Sequence, residues 1–315
     1  MSSRPPMAIF SGTAHPELST AIASHLGIPL GGLKITRFPD SEIYVKFEES
    51  VRGADAFLIQ PTCAPIDANL LELLILIDAL KRASARRITA VLPYYGYARQ
   101  EKKDRPREPI TAKLIADLLR TAGIDHVVAM DLHADAIQGF FDGPVDHLTA
   151  IPILSDYLAA RNLDDICLVS PDEGRVKTIR KIASRLRAPL AVGYKFHPAH
   201  GVSEISGLAG DVRGKTCIVY DDIISTGGSI NEIVDTLLAH GARPEITIAC
   251  THAVFAGKAV ERLSRPEIKE VVVTDTIPLP DAKRIPKITV LSAAGLFAEA
   301  IQRIWTDSSV SSLFD

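Results

Sequence analysis

Cysteine is scarce in this chain, and its placement excludes two classes at once. The four residues, Cys63, Cys167, Cys217 and Cys250, are scattered through mostly apolar runs with no C-x-x-C pair. That pattern argues against a disulfide framework and against a zinc ribbon, and it predicts reduced thiols in a cytoplasmic protein. Charge of one sign is also missing: 35 Lys+Arg against 38 Asp+Glu leave a net charge of −3. No global basic field recommends a nucleic-acid partner. No apolar run approaches membrane-spanning length, and Met1-Ser-Ser-Arg-Pro-Pro6 has no signal-peptide core, so neither a membrane nor export is expected. What remains is 315 residues, 47% of them apolar, enough for two domains with full cores.

The most informative stretch runs from Thr216 to Ile230, TCIVYDDIISTGGSI. Its first five residues read as a buried parallel strand. Asp221 and Asp222 follow, then the small-residue loop Ser225-Thr226-Gly227-Gly228-Ser229, then a helical pattern over 230–239. A Gly- and hydroxyl-rich turn between strand and helix offers free backbone N–H groups and the positive end of a helix dipole to a phosphate. Two carboxylates repel phosphate but suit hydroxyls or a metal, so the combination suggests a sugar phosphate. The plain alternative is an ordinary turn with two solvated acids. Strand ends in open α/β sheets are ligand sites, which favours the functional reading.

The rest of the chain repeats one grammar. Strands are expected near 7–12, 43–47, 57–60 and 88–92, with helices over 15–26 and 69–83. The second half has strands near 166–169, 190–192, 217–219 and 246–249, with helices between. The spacing from Ile59-Gln60 through helix 69–83 to Leu92 matches that from Tyr220-Asp221 through helix 230–239 to Ala249. The fold class expected is therefore α/β: two similar Rossmann-like domains with parallel sheets, meeting near 146–152 around a cleft. Only the second keeps the acid pair and the phosphate loop. Gly210 to Thr216 resembles a P-loop but is one residue short and precedes its strand, so it is a turn.

Other segments carry candidate chemistry. Arg99, Lys102, Lys103, Arg105 and Arg107 put five cations in nine residues, interrupted by Pro106. They could neutralise a polyphosphate, or form a charged surface loop. Asp131-Leu-His133 ends an apolar strand, and Asp172 lies in an acidic turn after another. These acids could serve a metal, although magnesium prefers oxygen and the role of His133 stays open between ligand and neighbour of a ligand. Gly193 to Ser203 reads as a long loop of the kind that closes over substrate, with Lys195 at its root.

Taken in order, several of these segments resemble the ribose-phosphate pyrophosphokinase (phosphoribosyl pyrophosphate synthase) family. They include FPDSE (38–42), ESVRG (49–53), YARQ (97–100), DLHA (131–134), QGFFD (138–142), SPD (170–172) and VSSLF (310–314). The stretch 221–229 also fits the wider type I phosphoribosyltransferase signature. The resemblance implies a duplicated type I phosphoribosyltransferase fold, with an ATP-side domain over 7–148 and a ribose 5-phosphate-side domain over 149–304. A tail over 305–315 would be a regulatory element. The implied activity is transfer of the diphosphoryl group of Mg-ATP to ribose 5-phosphate. Phe38, Asp40 and Glu42 would reach ATP in a neighbouring subunit, and Arg99 and Gln100, with Lys102 and Asp104, would contact it too. His133, Asp131 and Asp172 would serve Mg2+. Asp221 and Asp222 would hold ribose hydroxyls, Ser225, Thr226, Gly227, Gly228 and Ser229 the 5-phosphate, and Lys195 would be the catalytic-loop lysine. Ser50, Arg52, Arg107, Ser309, Ser311 and Phe314 match a phosphate/ADP regulatory site, and the implied assembly is a hexamer built from dimers.

Three positions depart from the family pattern. Ser225 replaces an Asp, His197 stands where the catalytic loop usually has Arg, and Gly174-Arg175 replaces Gly-Gly. Losing a guanidinium at 197 removes a charge-assisted contact worth about 1.5–3 kcal/mol. Two rivals share parts of the pattern. A base phosphoribosyltransferase would need only the 221–229 segment, and a non-catalytic associated subunit would not need Lys195.

Overall fold

Short runs of β-branched and aliphatic residues alternate along the chain with amphipathic helices, and in a computed structural model they form two α/β units. The structure describes residues 4–199 and 202–313, with backbone alone for 195–206. The first unit comprises 1–149 with 276–278 and 292–315, and the second 150–275 with 279–291.

In the first unit, β1 (Met7–Ser11) leads into α1 (Pro16–Leu26), which His15 opens by accepting the Leu18 N–H on Nδ1 at 3.4 Å. Gly27 ends it with φ 69°, a left-handed cap that glycine adopts without steric cost. There follow β2 (Leu33–Arg37), β3 (Ile43–Phe47), β4 (Asp55–Ile59), α2 (Ile66–Arg82), β5 (Arg87–Leu92), α3 (Thr111–Ala122), β6 (His126–Met130) and β7 (Val145–Leu148). Five strands form a parallel sheet in the order β1-β4-β5-β6-β7, and β2 pairs β3 antiparallel in a sheet of their own. Phe10, Leu58, Leu73, Leu76, Ile77 and Leu80 are buried together between sheet and helices. Each such side chain contributes about 1.5–3 kcal/mol by leaving water.

The second unit contains α4 (Ile151–Ala160), β8 (Ile166–Ser170), α5 (Val176–Leu186), β9 (Leu190–Ala199), β10 (Val202–Ala209), β11 (Thr216–Ile224), α6 (Gly228–Ala239), β12 (Ile246–Ala253), α7 (Ala259–Leu263), β13 (Ile268–Thr274) and β14 (Ile288–Leu291). Its sheet runs β10-β9-β8-β11-β12-β13-β14, with only the β9–β10 pair antiparallel. The order β8-β11-β12-β13-β14 repeats that of the first unit. In each, an antiparallel hairpin is inserted between the first two parallel strands. The duplication expected from spacing is present in the topology.

Two expectations are corrected. The described residues of 193–203 are strand and not loop: 193–199 lies in β9 and 202–203 in β10, which pair antiparallel with register shifts between Val202 and Glu204 and between Ile205 and Gly207. Pro198 and weak periodicity hid a strand pair whose ladder tolerates such irregularities. The last helix, α8 (Ala294–Trp305), belongs to the first unit and not to a 149–304 domain. It packs on α1, Arg87 Nη2 donates to Ile304 O at 3.1 Å, and Trp305 Nε1 donates to Pro5 O at 3.0 Å. No described helix is long and apolar enough to cross a membrane.

Candidate active site

The second unit gathers its polar side chains at the carboxyl ends of β8 and β11. Asp221 and Asp222 lie inside β11 rather than after it, because Ile223 and Ile224 continue the ladder opposite His252 and Ala253 of β12. Asp222 is 5% exposed and Asp221 19%. Burial, then the neighbouring Asp222, push the Asp221 carboxyl well above the usual range, and the Arg175 guanidinium opposes the shift. Arg175 reaches across from the turn after β8, with Nη2 at 2.9 Å from Asp222 Oδ2 and Nε at 4.0 Å from Asp221 Oδ1. In the same turn Asp172 Oδ1 accepts the Gly174 N–H at 3.0 Å.

The loop follows directly. Ser225, Thr226 and Gly227 join β11 to α6, whose N-cap is Gly227 with φ 73° and no side-chain cap. The first N–H groups of a helix have no intrahelical acceptor, and such an end can receive an anion. Arg262 on α7 donates from Nη1 to Thr226 O at 2.7 Å.

In the first unit the same sheet positions are filled differently. Gln60, just after β4, donates from Nε2 to Glu72 Oε1 at 2.9 Å and accepts the Ala14 N–H at 3.1 Å. Glu72, 2% exposed, also accepts from Thr13 N at 2.7 Å and from the Thr13 hydroxyl. A Cβ on Gly12 would fall 2.2 Å from Gln60 Oε1, so the β1 loop closes directly onto this amide. The polar groups saturate one another where the second unit keeps a Gly loop.

The remaining candidates lie on loops of the first unit. Phe38 is 50% exposed on the β2–β3 turn, edge-on to Tyr44 at 5.7 Å, and Asp40 Oδ1 accepts the Glu42 N–H at 3.2 Å. Arg99, Gln100, Lys102 and Asp104 are exposed. Thr111 donates to Gln100 Oε1 at 2.6 Å, and Lys102 lies 3.8 Å from Asp104. Tyr94 and Tyr95 are buried and pack rather than line this segment, whereas Tyr97 is half-buried and donates from its hydroxyl to Asp67 Oδ1 at 2.6 Å. Asp131 follows β6 in a left-handed conformation, φ 37°, and His133 is half-buried. Ser50, Arg52, Arg107, Ser309 and Ser311 are exposed: Arg52 donates to Ser84 Oγ at 3.2 Å, and the Ser309 and Ser311 hydroxyls meet at 2.5 Å. Phe314 and the side chains of Lys195 and His197 lie outside the described residues.

Among the described residues no three His, Cys, Asp or Glu side chains converge on one metal position. Magnesium carried by nucleotide phosphates needs only one or two protein carboxylates, and Asp131 after β6 and Asp172 after β8 are each, taken separately, a carboxylate at a strand's end.

Two family descriptions match the chain: the N-terminal domain of ribose phosphate pyrophosphokinase over residues 7–123, and the phosphoribosyl synthetase-associated domain over 198–315. Ribose-phosphate pyrophosphokinases of Oceanobacillus iheyensis and Caldanaerobacter subterraneus are 51% and 53% identical over 309 residues. Those alignments cover 98% of this chain and 97% and 98% of the relatives. This chain belongs to the ribose-phosphate pyrophosphokinase family. A crystal structure of phosphoribosylpyrophosphate synthetase from Mycobacterium smegmatis agrees, with a TM-score of 0.91 at 47% identity over 96% of this chain and 100% of that one.

Within that family frame, three features escaped the sequence reading. The Arg175–Asp222 pair, the Gln60–Glu72–Thr13 cluster and the Arg262–Thr226 bond all join residues distant in the chain. The departure at Arg175 was visible, but its target was not.

Proposed function

We propose that this chain transfers the diphosphoryl group of Mg-ATP to the 1-hydroxyl of ribose 5-phosphate, forming 5-phosphoribosyl 1-diphosphate and AMP for nucleotide biosynthesis. Family membership along nearly the whole chain carries the reading. The second unit's acid pair and Gly loop supply its chemistry. Asp221 and Asp222 accept hydrogen bonds from the ribose hydroxyls, and the N–H groups of 225–229 hold the 5-phosphate at the start of α6. The 1-hydroxyl oxygen attacks the β-phosphorus in line, the bond from that phosphorus to the α,β-bridging oxygen breaks, AMP departs with that oxygen, and the hydroxyl proton is lost. Lys195, with the Arg99–Arg107 cations, stabilises charge on the moving group, and positioning supplies much of the rate. Magnesium, served by Asp131, His133 and Asp172, would neutralise phosphate charge when bound with ATP.

Phe38, half exposed, with Asp40 and Glu42, is proposed to complete the ATP site of a neighbouring copy in a hexamer built from dimers. Phosphate and ADP are the proposed effectors at Ser50, Arg52, Arg107, Ser309, Ser311 and Phe314. His197 in place of Arg is proposed to slow transfer, and His197→Arg to restore part of it.

The test is product analysis with ATP, Mg2+, phosphate and ribose 5-phosphate. AMP and phosphoribosyl diphosphate are expected, with turnover in Lys195→Ala lowered at least about a hundredfold. ADP as product, or an unaffected Lys195→Ala, would overturn the reading.

A further inference from the structure

Four consecutive carbonyls, from the last residue of β11 through Gly227 of the loop, are each held by a donor. Phe255 N–H donates to Ile224 O at 3.0 Å, Ala256 N–H to Ser225 O at 2.9 Å, Arg262 Nη1 to Thr226 O at 2.7 Å and Asn231 N–H to Gly227 O at 3.0 Å. The first three donors come from one segment, 255–262, which lies behind the loop. The peptide bonds here are trans, and in a planar trans unit C=O and N–H point in opposite directions. Holding the carbonyls of 224, 225 and 226 against that segment therefore turns the N–H groups of Ser225, Thr226 and Gly227 away from it. Successive N–H groups presented together form an anion-binding concavity.

Two of the three donors from 255–262 are backbone; Arg262 alone among them is a side chain. Its guanidinium also lies against the first turn of α6, because a Cβ on Gly228 would stand 3.9 Å from Arg262 Nη1. We infer that Arg262 is a positioning residue for the phosphomonoester end of the acceptor: by holding Thr226 O it fixes the direction of the Gly227 N–H. This rests on the reading that 225–229 holds the phosphate of ribose 5-phosphate. A residue just beyond that segment supplies an internal control. Arg265 clamps α6 through Asn231 Oδ1 at 2.9 Å and Asp235 Oδ1 at 2.7 Å, and the hydrogen-bond and ion-pair partners of its guanidinium, Asn231, Asp235 and Glu267, all lie outside 225–229.

Steady-state kinetics and calorimetric binding of ribose 5-phosphate would be measured on the wild type, Arg262→Met, Arg262→Lys and Arg265→Met. A charge-assisted hydrogen bond corresponds to about tenfold or more in binding. Arg262→Met is expected to raise the KM for ribose 5-phosphate by that factor, with the KM for ATP and kcat changed less than about threefold. Lysine should recover part of the loss, and Arg265→Met should lower the melting temperature while leaving the ribose 5-phosphate KM unchanged. An unchanged KM in Arg262→Met, or an equal rise in Arg265→Met, would overturn the role. If Arg262→Met does not fold, Arg262→Lys decides, and wild-type affinity there overturns it. Wild-type protein that binds ribose 5-phosphate but forms no AMP would sink the reaction while the ratio of dissociation constants still judges Arg262. Wild-type protein that does not bind it would sink both.

Discussion

Arg175 places a guanidinium on two adjacent carboxylates, and what the pair can do depends on it. Without a cation the low exposure of Asp221 and Asp222 would favour protonation of one of them, and a protonated carboxyl accepts a sugar hydroxyl less well. Removing one partner of such a pair leaves charge uncompensated in a poorly hydrated place. Arg175→Ala is therefore expected to destabilise the protein by up to about 3–5 kcal/mol, read as a lower urea midpoint at pH 7. A midpoint within error of wild type would mean that water or another group compensates the acids. The acids themselves were legible, since two carboxylates beside a buried strand are conspicuous. The arginine's role was not, because sequence spacing carries no information about which strand end a long side chain crosses to.

Elements were legible where local pattern sufficed. The helices over 15–26 and 230–239 and most parallel strands follow from periodicity and flanking turns, and the structure moves their ends by a few residues. It fails where the deciding partner is distant. β11 continues to Ile224 because β12 offers a matching edge, and the β9–β10 hairpin forms despite Pro198. Lys287 makes the same point between α7 and β14. Its Nζ donates to Arg265 O at 2.6 Å, Ile268 O at 2.7 Å and Ser264 O at 3.2 Å, tying the end of α7 to the start of β13. Burial pulls this ammonium below the usual lysine range, while Glu267 opposes the shift. Lys287→Met strands these carbonyls and is expected to cost about 1–3 kcal/mol in chemical denaturation. A cost near zero would show that water replaces the ammonium.

At the scale of the whole molecule, the repeated topology was readable because both halves use one spacing of strand, helix and strand. The interruption of the first unit was not, since nothing local in 294–305 distinguishes packing on α1 from packing on its sequence neighbours. Phe297, Ile301 and Ile304 are buried in the structure, and so are Leu18 and Ile22 of α1. Ending the chain after Leu291 is expected to expose that apolar face, lowering the melting temperature of the first unit and increasing dye binding to exposed hydrophobic surface. Unaltered melting in the shortened protein would show that α8 adds little. The same arrangement sets an order of events during translation. Residues 1–149 leave the ribosome well before α8 is made, an interval on the order of ten seconds at usual elongation rates. Through that interval the nascent first unit holds an unfinished surface, while the second unit is still being made and receives its last strand, β14, just before α8 begins. The half of the molecule synthesised first is thus completed last, and chaperone capture of the nascent chain would fall in that window.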